Sequence, residues 1–426
     1  MKRLISKILY KMAVPTKKAA GIIVPAHIMR QVKKALLKSA FPIEQKNKSI
    51  KIHIGKNGIN LIGYARAEMG IGESCRIAAK SLTAGDLEFG IINFKGTNSA
   101  RMSDTSWVHK EIEDPKYDIN VFHINAEQMM EIYAHYGNRI FNNKYNIGYW
   151  HWELPDFPDQ WTESFSLVDE VWAPSTFVAE AISLKSPVPV IRIPHSIEVK
   201  IEQYRNRSYY NLPENTFLFL TMYDVKSYQE RKNPQASIEA FKRAFGKDDI
   251  NVGLIVKVNI SNGESNEMKL LEKLIDDYTN IYLIKEVLSR NDINALINVS
   301  DSFISLHRSE GFGLGLAEAM FLRKPVIGTN WSSNTDFMND SNSCPVKYEL
   351  VKLGSTFGPY EAYQYWAEPD VDHASYYMKK LVNEPDYRDE IAKQGEHTIK
   401  TDFSPEQVGQ LITKRLEYIM KWNNGG

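Results

Sequence analysis

Short apolar runs alternate with amphipathic stretches along most of this chain, and the alternation runs through twice. Strands are expected at Ile59–Tyr64, Phe89–Phe94, Ile119–Ile124, Tyr145–Trp150, Glu170–Ala173 and Val188–Pro194. Helices are expected between them at Glu73–Ala84, Ala126–Tyr136 and Thr176–Leu184. A polar stretch, Glu198 to Asn215, interrupts the pattern, which then restarts. Strands follow at Thr216–Met222, Asn251–Val258, Asn280–Ile284, Asp301–Leu306 and Pro325–Thr329, separated by helices at Pro234–Phe245, Met268–Tyr278, Asn291–Asn298 and Gly313–Leu322. Helices close the chain at Asp372–Val382, Tyr387–Thr401 and Pro405–Trp422. Strands joined through helices demand crossover connections and a mostly parallel sheet. The expected class is therefore α/β, with two doubly wound domains facing a cleft and ligands at the carboxyl ends of both sheets.

The division expected is a basic segment over 1–48, a first domain over 49–200, a linker over 201–214, a second domain over 215–404 and a C-terminal helix over 405–426. At 426 residues the chain is too long for one ordinary core. Lys+Arg 52 balance Asp+Glu 52, so a uniformly basic nucleic-acid binder is excluded and no nucleic-acid partner is expected. Two cysteines, Cys75 and Cys344, exclude a disulfide scaffold and a cysteine-rich zinc module.

The balance hides a sorting of charge. Residues 1–48 carry twelve Lys or Arg against Glu44 alone. Leu4, Ile5, Ile8, Leu9 and Met12 recur at helical spacing around Lys7 and Lys11, and Gln31 to Phe41 repeats the pattern. Basic amphipathic helices lie on anionic lipid surfaces. Solvated tails share the pattern, so association through residues 1–41 and a solvated tail are both open readings. No run reaches the ~18–20 apolar residues of a membrane span. The apolar Ala19–Met29 stretch is broken by Pro25 and His27, with no clear cleavage site after it. The expected location is cytoplasmic, with a peripheral place at the inner face of the cell membrane as its extension.

The most informative stretch is Arg308-Ser309-Glu310-Gly311-Phe312-Gly313-Leu314-Gly315-Leu316-Ala317-Glu318. It follows an apolar strand and opens an apolar helix. Glycines let backbone amides approach a ligand, and a helix N-terminus suits a diphosphate. The dinucleotide fingerprint is absent, because Leu316 stands where a third small residue is needed. That disfavours a nicotinamide dehydrogenase. Glu310 and Glu318 are ~12 Å apart if all helical, too far for one metal but suited to gripping two ends of an elongated ligand. A nucleotide sugar has that shape. A lone Glu318 could equally decorate the helix surface.

Glu-x7-Glu in this setting, followed by Lys324-Pro325-Val326-Ile327-Gly328, resembles the family-4 retaining glycosyltransferases of the GT-B fold, built from two Rossmann-like domains. Gly148-Tyr149-Trp150-His151-Trp152-Glu153-Leu154-Pro155 and Arg231-Lys232-Asn233-Pro234 look like members that build bacterial surface polysaccharides such as O-antigen and capsule. The resemblance implies a hexosyltransferase using GDP-mannose or a UDP-hexose and a glycan or lipid-linked acceptor, without cofactor or metal. It implies that Glu310 contacts the transferred sugar, Glu318 the ribose, and the backbone of Gly311, Phe312, Gly313, Leu314 and Gly315 the donor. It implies that His151 contacts the sugar or its leaving oxygen, that the Gly70-Ile71-Gly72 loop approaches donor phosphates or acceptor, and that the C-terminal helix crosses back to the first domain.

Lys232 and Arg231 are candidates to offset charge on the leaving diphosphate. The family's strand-end arginine is replaced here by Tyr223-Asp224, and Arg231 is the expected substitute. Lys257, late in a strand, is expected to face the nucleotide, and Asn334 to line the sugar pocket. His123 and His195 are read as structural. Asp370-Val371-Asp372 imitates a metal-binding Asp-x-Asp but reads as a helix entry with Asp372 near the cap. Two alternatives stay open: a nucleotide-sugar epimerase of the same fold, and a non-catalytic sugar-binding subunit.

Overall fold

The computed structural model describes residues 32, 35–37, 39–42, 52–55, 58–96, 100–259 and 266–425, except the side chains of 226, 266 and 267. Its architecture is two six-stranded parallel sheets and one two-stranded antiparallel hairpin. The first sheet contains β1 (Ile59–Gly63), β2 (Phe89–Asn93), β3 (Ile119–His123), β4 (Tyr145–Tyr149), β5 (Glu170–Ala173) and β6 (Val190–Arg192). Their spatial order is β2-β1-β3-β4-β5-β6. Strands β1 to β5 are almost wholly buried, which is why they read as continuous apolar runs rather than alternating ones, while the edge strand β6 is only partly covered. Asn60, Asn120 and Asn146 break the apolar run at one register position. Asn60 Nδ2 donates to Asn120 Oδ1 at 2.9 Å, and Asn120 Nδ2 donates to Asn146 Oδ1 at 2.8 Å. A one-residue slip would strand these buried amides, so the ladder pins the pairing.

The second sheet contains β7 (Phe217–Asp224), β8 (Val252–Asn259), β9 (Ile281–Ile284), β10 (Ser302–Ser305), β11 (Val326–Thr329) and β12 (Cys344–Val346), in the order β12-β11-β10-β7-β8-β9. Each sheet reverses its winding beside its first strand, at β1/β3 and at β7/β10. In open parallel sheets such reversals create the ligand crevice.

The expected strands and helices are present with ends shifted by up to a few residues. Three features differ. Helix α1 spans Gly70–Ala84, so Gly70 and Gly72 lie in its first turn, not in a loop before it. Three strands stand where none were expected: β12 at the edge of the second sheet, and the hairpin of β13 (Tyr348–Lys352) and β14 (Tyr365–Pro369) that follows it. Asp370, not Asp372, caps the helix Val371–Asn383 by accepting the His373 N–H at 2.9 Å, while Asp372 pairs with Arg243 at 2.8 Å.

The C-terminal helix, Pro405–Asn424, crosses back onto the first sheet's helix layer. Val408, Ile412, Leu416 and Ile419 join the core formed by Leu61, Cys75 and Leu82. Gly409 makes the crossing close: a Cβ there would lie 2.6 Å from the Ser81 carbonyl oxygen. The other end of the tie is ionic, with Arg415 Nη2 2.5 Å from the buried Glu170 carboxylate.

Residues 1–31, and with them most of the basic segment, lie outside the described residues. Positions 35–37 and 39–40 are helical, as the periodicity predicted. Leu37 and Ala40 are buried and Phe41 packs against the first core, so this part of the amphipathic face meets protein.

Candidate active site

The cleft is built from loops leaving the carboxyl ends of strands in both sheets. After β10 the chain runs through Arg308 and Ser309 to Glu310. Gly313 then adopts φ +96° as the N-cap of helix α2, Leu314–Phe321. That backbone region favours glycine, so the tight entry into the helix depends on residue 313. Glu310 therefore lies before the helix and Glu318 inside it. A Cβ on Gly315 would lie 3.1 Å from the Phe303 ring, and the Phe312 ring is buried against His195, Phe337 and Phe403. Phe312 thus anchors the loop from below.

The turn after β7 supplies the counter-charges. Lys232 Nζ lies 2.5 Å from Glu310 Oε1, and Arg231 Nη1 lies 3.3 Å from Glu310 Oε2 and 2.7 Å from the Ser309 carbonyl oxygen. Glu310 is buried. Burial alone would raise its pKa, but Lys232 and Arg231 outweigh that and hold it at about 2. The result is an ionised carboxylate flanked by two cations. Arg231 Nε is buried with no partner, a donor in reserve.

Glu318 is also buried, and its carboxylate is paired with Arg290. Arg290 reaches within 4.0 Å of Glu73 on α1, and so spans the cleft. Glu73, Lys80 and Glu198 from the first side line a depression with Arg290 and Glu318 from the second. Sequence reasoning missed Arg290, because its Ser289-Arg290-Asn291-Asp292 context reads only as a capped helix start.

His151 follows β4 and approaches His195, which follows β6. Their Nε2 atoms are 2.9 Å apart. Tyr149 donates to the Ile193 carbonyl at 2.8 Å and lies 3.3 Å from His195 Nδ1. His123 stacks on Tyr149 with centroids 4.2 Å apart, and its Nδ1 is 3.1 Å from Ser74 Oγ. Burial holds His151 down at about 4, and lowers His123 and His195 well below the usual imidazole range. All three are neutral near pH 7. His195, read as structural from the sequence, is thus the direct neighbour of His151. No local signal marks this, because the contact joins residues on two different strand ends.

The remaining candidates stand apart. Lys257 is buried in β8, where its ammonium donates to the Val258 carbonyl at 3.0 Å and Asn259 Oδ1 at 2.6 Å. Burial lowers it to about 8. Asn334 is fully buried and bridges His307 Nε2, at 2.9 Å, to the Thr329 carbonyl, also at 2.9 Å. It braces the β10 and β11 ends instead of opening into a pocket. Gly72 packs against the preceding loop, where a Cβ would lie 2.2 Å from the Ala67 carbonyl oxygen. Gly70 has open space around its Cα. Among the described residues, no three His, Cys, Asp or Glu side chains converge as metal ligands would.

Two parallel-sheet lobes meeting at such a cleft define a GT-B-like α/β fold. Residues 204–347, which contain β7 to β12 and the Glu310 loop, match the family model Glycosyl transferases group 1. Among relatives, the human alpha-1,3/1,6-mannosyltransferase ALG2 is 22% identical over 219 residues, covering 47% of this chain and 46% of that protein. The match thus spans less than half the human protein's length. Two solved structures show the same fold. Anabaena Alr3699/HepE in complex with UDP-glucose superposes with a TM-score of 0.60 at 14% identity, over 85% of this chain and 100% of that one. Sucrose-phosphate synthase from Thermosynechococcus elongatus gives 0.62 at 12% identity, over 86% and 100%.

Proposed function

We propose that this chain is a retaining glycosyltransferase that moves a hexose from a nucleoside-diphosphate sugar to a glycan or lipid-linked acceptor in surface-polysaccharide synthesis. The observation that carries the reading is the Glu310 carboxylate, buried between Lys232 and Arg231 beside a glycine loop that opens a helix. The matched family model and the human mannosyltransferase support transfer chemistry. The UDP-glucose named with Alr3699/HepE supports a sugar-nucleotide donor. GDP-mannose and a UDP-hexose both suit this site.

In this reading residues 215–404 hold the donor and residues 49–200 present the acceptor, with 201–214 as the joint. Glu310 accepts hydrogen bonds from the sugar hydroxyls and Glu318 from the ribose. The amides from Gly311 to Gly315 and the α2 N-terminus face the diphosphate. The bond from the anomeric carbon to the β-phosphate oxygen breaks as the acceptor oxygen attacks the same face. The acceptor proton passes to the departing diphosphate. Lys232 and Arg231 offset the charge that gathers there, so the protein contributes field and position without a covalent intermediate or a metal. Neutral His151, whose Nε2 meets His195 and whose Nδ1 meets Asn125, contacts the reacting sugar or its leaving oxygen by exchanging one of these partners. Residues 1–31 hold the enzyme at an anionic membrane surface.

Incubation with labelled donor and acceptor glycans, with and without chelator, tests the reading. Chelator-insensitive transfer with the donor's anomeric configuration retained supports it. Isomerised sugar nucleotide formed without acceptor overturns it in favour of an epimerase.

A further inference from the structure

The β13–β14 hairpin belongs to the second sheet's half of the chain, yet its buried residues Leu353, Tyr360 and Trp366 lie in the first half's core with Trp152, Phe157 and Trp161. At its tip Phe357 and Tyr360 exchange backbone hydrogen bonds of 2.9 and 3.0 Å across Gly358, which has φ +59°. The tip presses on Tyr228, close enough that a Cβ on Gly358 would fall 1.8 Å from the Tyr228 hydroxyl. The Tyr228 backbone carbonyl in turn accepts the backbone N–H groups of Arg231 and Lys232 at 3.0 and 3.1 Å.

Tyr360 occupies the centre of this junction. Its hydroxyl donates to Glu153 Oε2 of the first half at 3.1 Å. Its ring centroid lies 6.0 Å from the Arg231 guanidinium carbon and 5.5 Å from Trp152. Glu153 is held from the other side as well, because Ser309 donates to its backbone carbonyl. Ser309 directly precedes Glu310. Gly311 runs along the same backbone, where a Cβ would lie 3.5 Å from the Trp152 carbonyl oxygen. The Glu153 segment is therefore clasped by the hairpin on one flank and by the Glu310 loop on the other.

We propose that Tyr360 is a positioning residue for transfer: by tying Glu153 of the first half to Arg231 of the second, it makes assembly of the Arg231–Glu310 pair depend on closure of the cleft. The inference rests on the glycosyltransferase reading above. The ring shields one face of Arg231 from water and leaves the guanidinium to the carboxylate and to an incoming diphosphate. The hydroxyl supplies one of several links across the cleft, the one that joins the hairpin to the Glu153 carboxylate, beside Ser309 to the Glu153 carbonyl and Tyr363 to Asp156. A closed cleft also keeps water from the activated sugar.

Tyr360→Phe keeps the ring and removes the link, and Glu153→Ala removes its acceptor. For wild type, both single variants and the double variant, kcat, donor KM, the ratio of donor hydrolysis to transfer, the melting temperature and the solution-scattering radius of gyration are measured. Each single variant is expected to lose about tenfold in kcat, the scale of one hydrogen bond to a charged group. Donor KM should change less than threefold, hydrolysis should gain on transfer, and the radius of gyration should rise. The double variant should be no slower than the slower single. Unchanged kcat and radius, or losses that multiply in the double variant, would overturn the tie. Failure of the wild type to turn over any sugar nucleotide would instead overturn the glycosyltransferase reading. The tie would then be judged on the radius alone, where an unchanged value rejects it.

Discussion

Lys232 and Glu310, 78 residues apart in the chain, bring ammonium and carboxylate oxygen to 2.5 Å at the carboxyl ends of two adjacent strands of one sheet. Arg231 completes the group from the same turn. Two cations around one carboxylate leave a positive excess, and that excess suits a leaving diphosphate.

Glu310→Gln and Lys232→Ala should each lower kcat about 100-fold or more, the scale of removing one preorganised electrostatic contact. Far-ultraviolet circular dichroism should stay native-like, because neither side chain is part of a sheet core. Near-normal transfer by both variants would place the chemistry elsewhere.

Stability should fall on mild acidification. His123, His151 and His195 are buried and neutral, with pKa values depressed below the unfolded value of ~6.5. The unfolded state therefore binds protons first, so the stability these groups contribute is present above pH ~6.5 and drains as pH falls toward the folded value, about 4 for His151. Each histidine adds a slope of up to ~1.4 kcal/mol per pH unit. Urea midpoints measured from pH 7 to pH 4.5 should drop steadily. The triple variant with glutamine at all three positions should show a shallower fall. Glu310, held at about 2, should contribute its own loss only below pH ~4.5, from the unfolded carboxylate value downward.

Gly409→Leu should unseat the C-terminal helix from α1, since even a Cβ at this position meets the Ser81 carbonyl at 2.6 Å. Backbone must move, so the cost should reach the ~1–3 kcal/mol of overpacking or more. Thermal melts should report it, and proteolysis should cut near residue 404 earlier than in wild type. An unchanged melting temperature would contradict the close crossing.

Truncation of residues 1–31 should weaken binding to anionic vesicles at low salt while leaving the melting temperature near that of the full chain. Cutting after Phe41 should also destabilise, because Leu37 and Ala40 are buried and Phe41 packs on the first core. Equal vesicle binding by the full chain and the 1–31 truncation would retire the membrane association.

Much of this was legible in the sequence because parallel strands buried on both faces must be apolar throughout. Runs such as Ile59–Gly63 and Val326–Thr329 announce themselves, and the helices between them force the crossovers. Glu310, Lys232 and Arg231 could each be assigned to the cleft because the motifs carrying them sit at strand ends, whereas the ion pairs among them come from the structure. The β13–β14 hairpin was not legible. Its strands mix aromatic, acidic and basic residues, β13 is mostly exposed, and a long loop without a tight two-residue turn joins them. Its role depends on Tyr360 reaching Glu153, 207 residues away. The His151–His195 contact and the bridge from Arg290 to Glu73 are likewise products of how strand ends and lobes meet. Residue type and spacing along one element carry no trace of them.

The central claim is that Glu310 and Glu318 hold two ends of one activated sugar, and ligand-dependent melting tests it most directly. UDP, GDP, UDP-glucose and GDP-mannose would be added in turn to wild type, Glu310→Gln and Glu318→Ala. A ligand at 100 times its dissociation constant adds about 2.7 kcal/mol to the folded state, a shift readily seen. At least one nucleotide should raise the wild-type melting temperature, and its sugar form should raise it further. Glu310→Gln should lose that extra increment alone, while Glu318→Ala should lose the nucleotide's own shift. A wild type indifferent to all four ligands, or a Glu310→Gln variant that keeps the full sugar increment, would contradict the account.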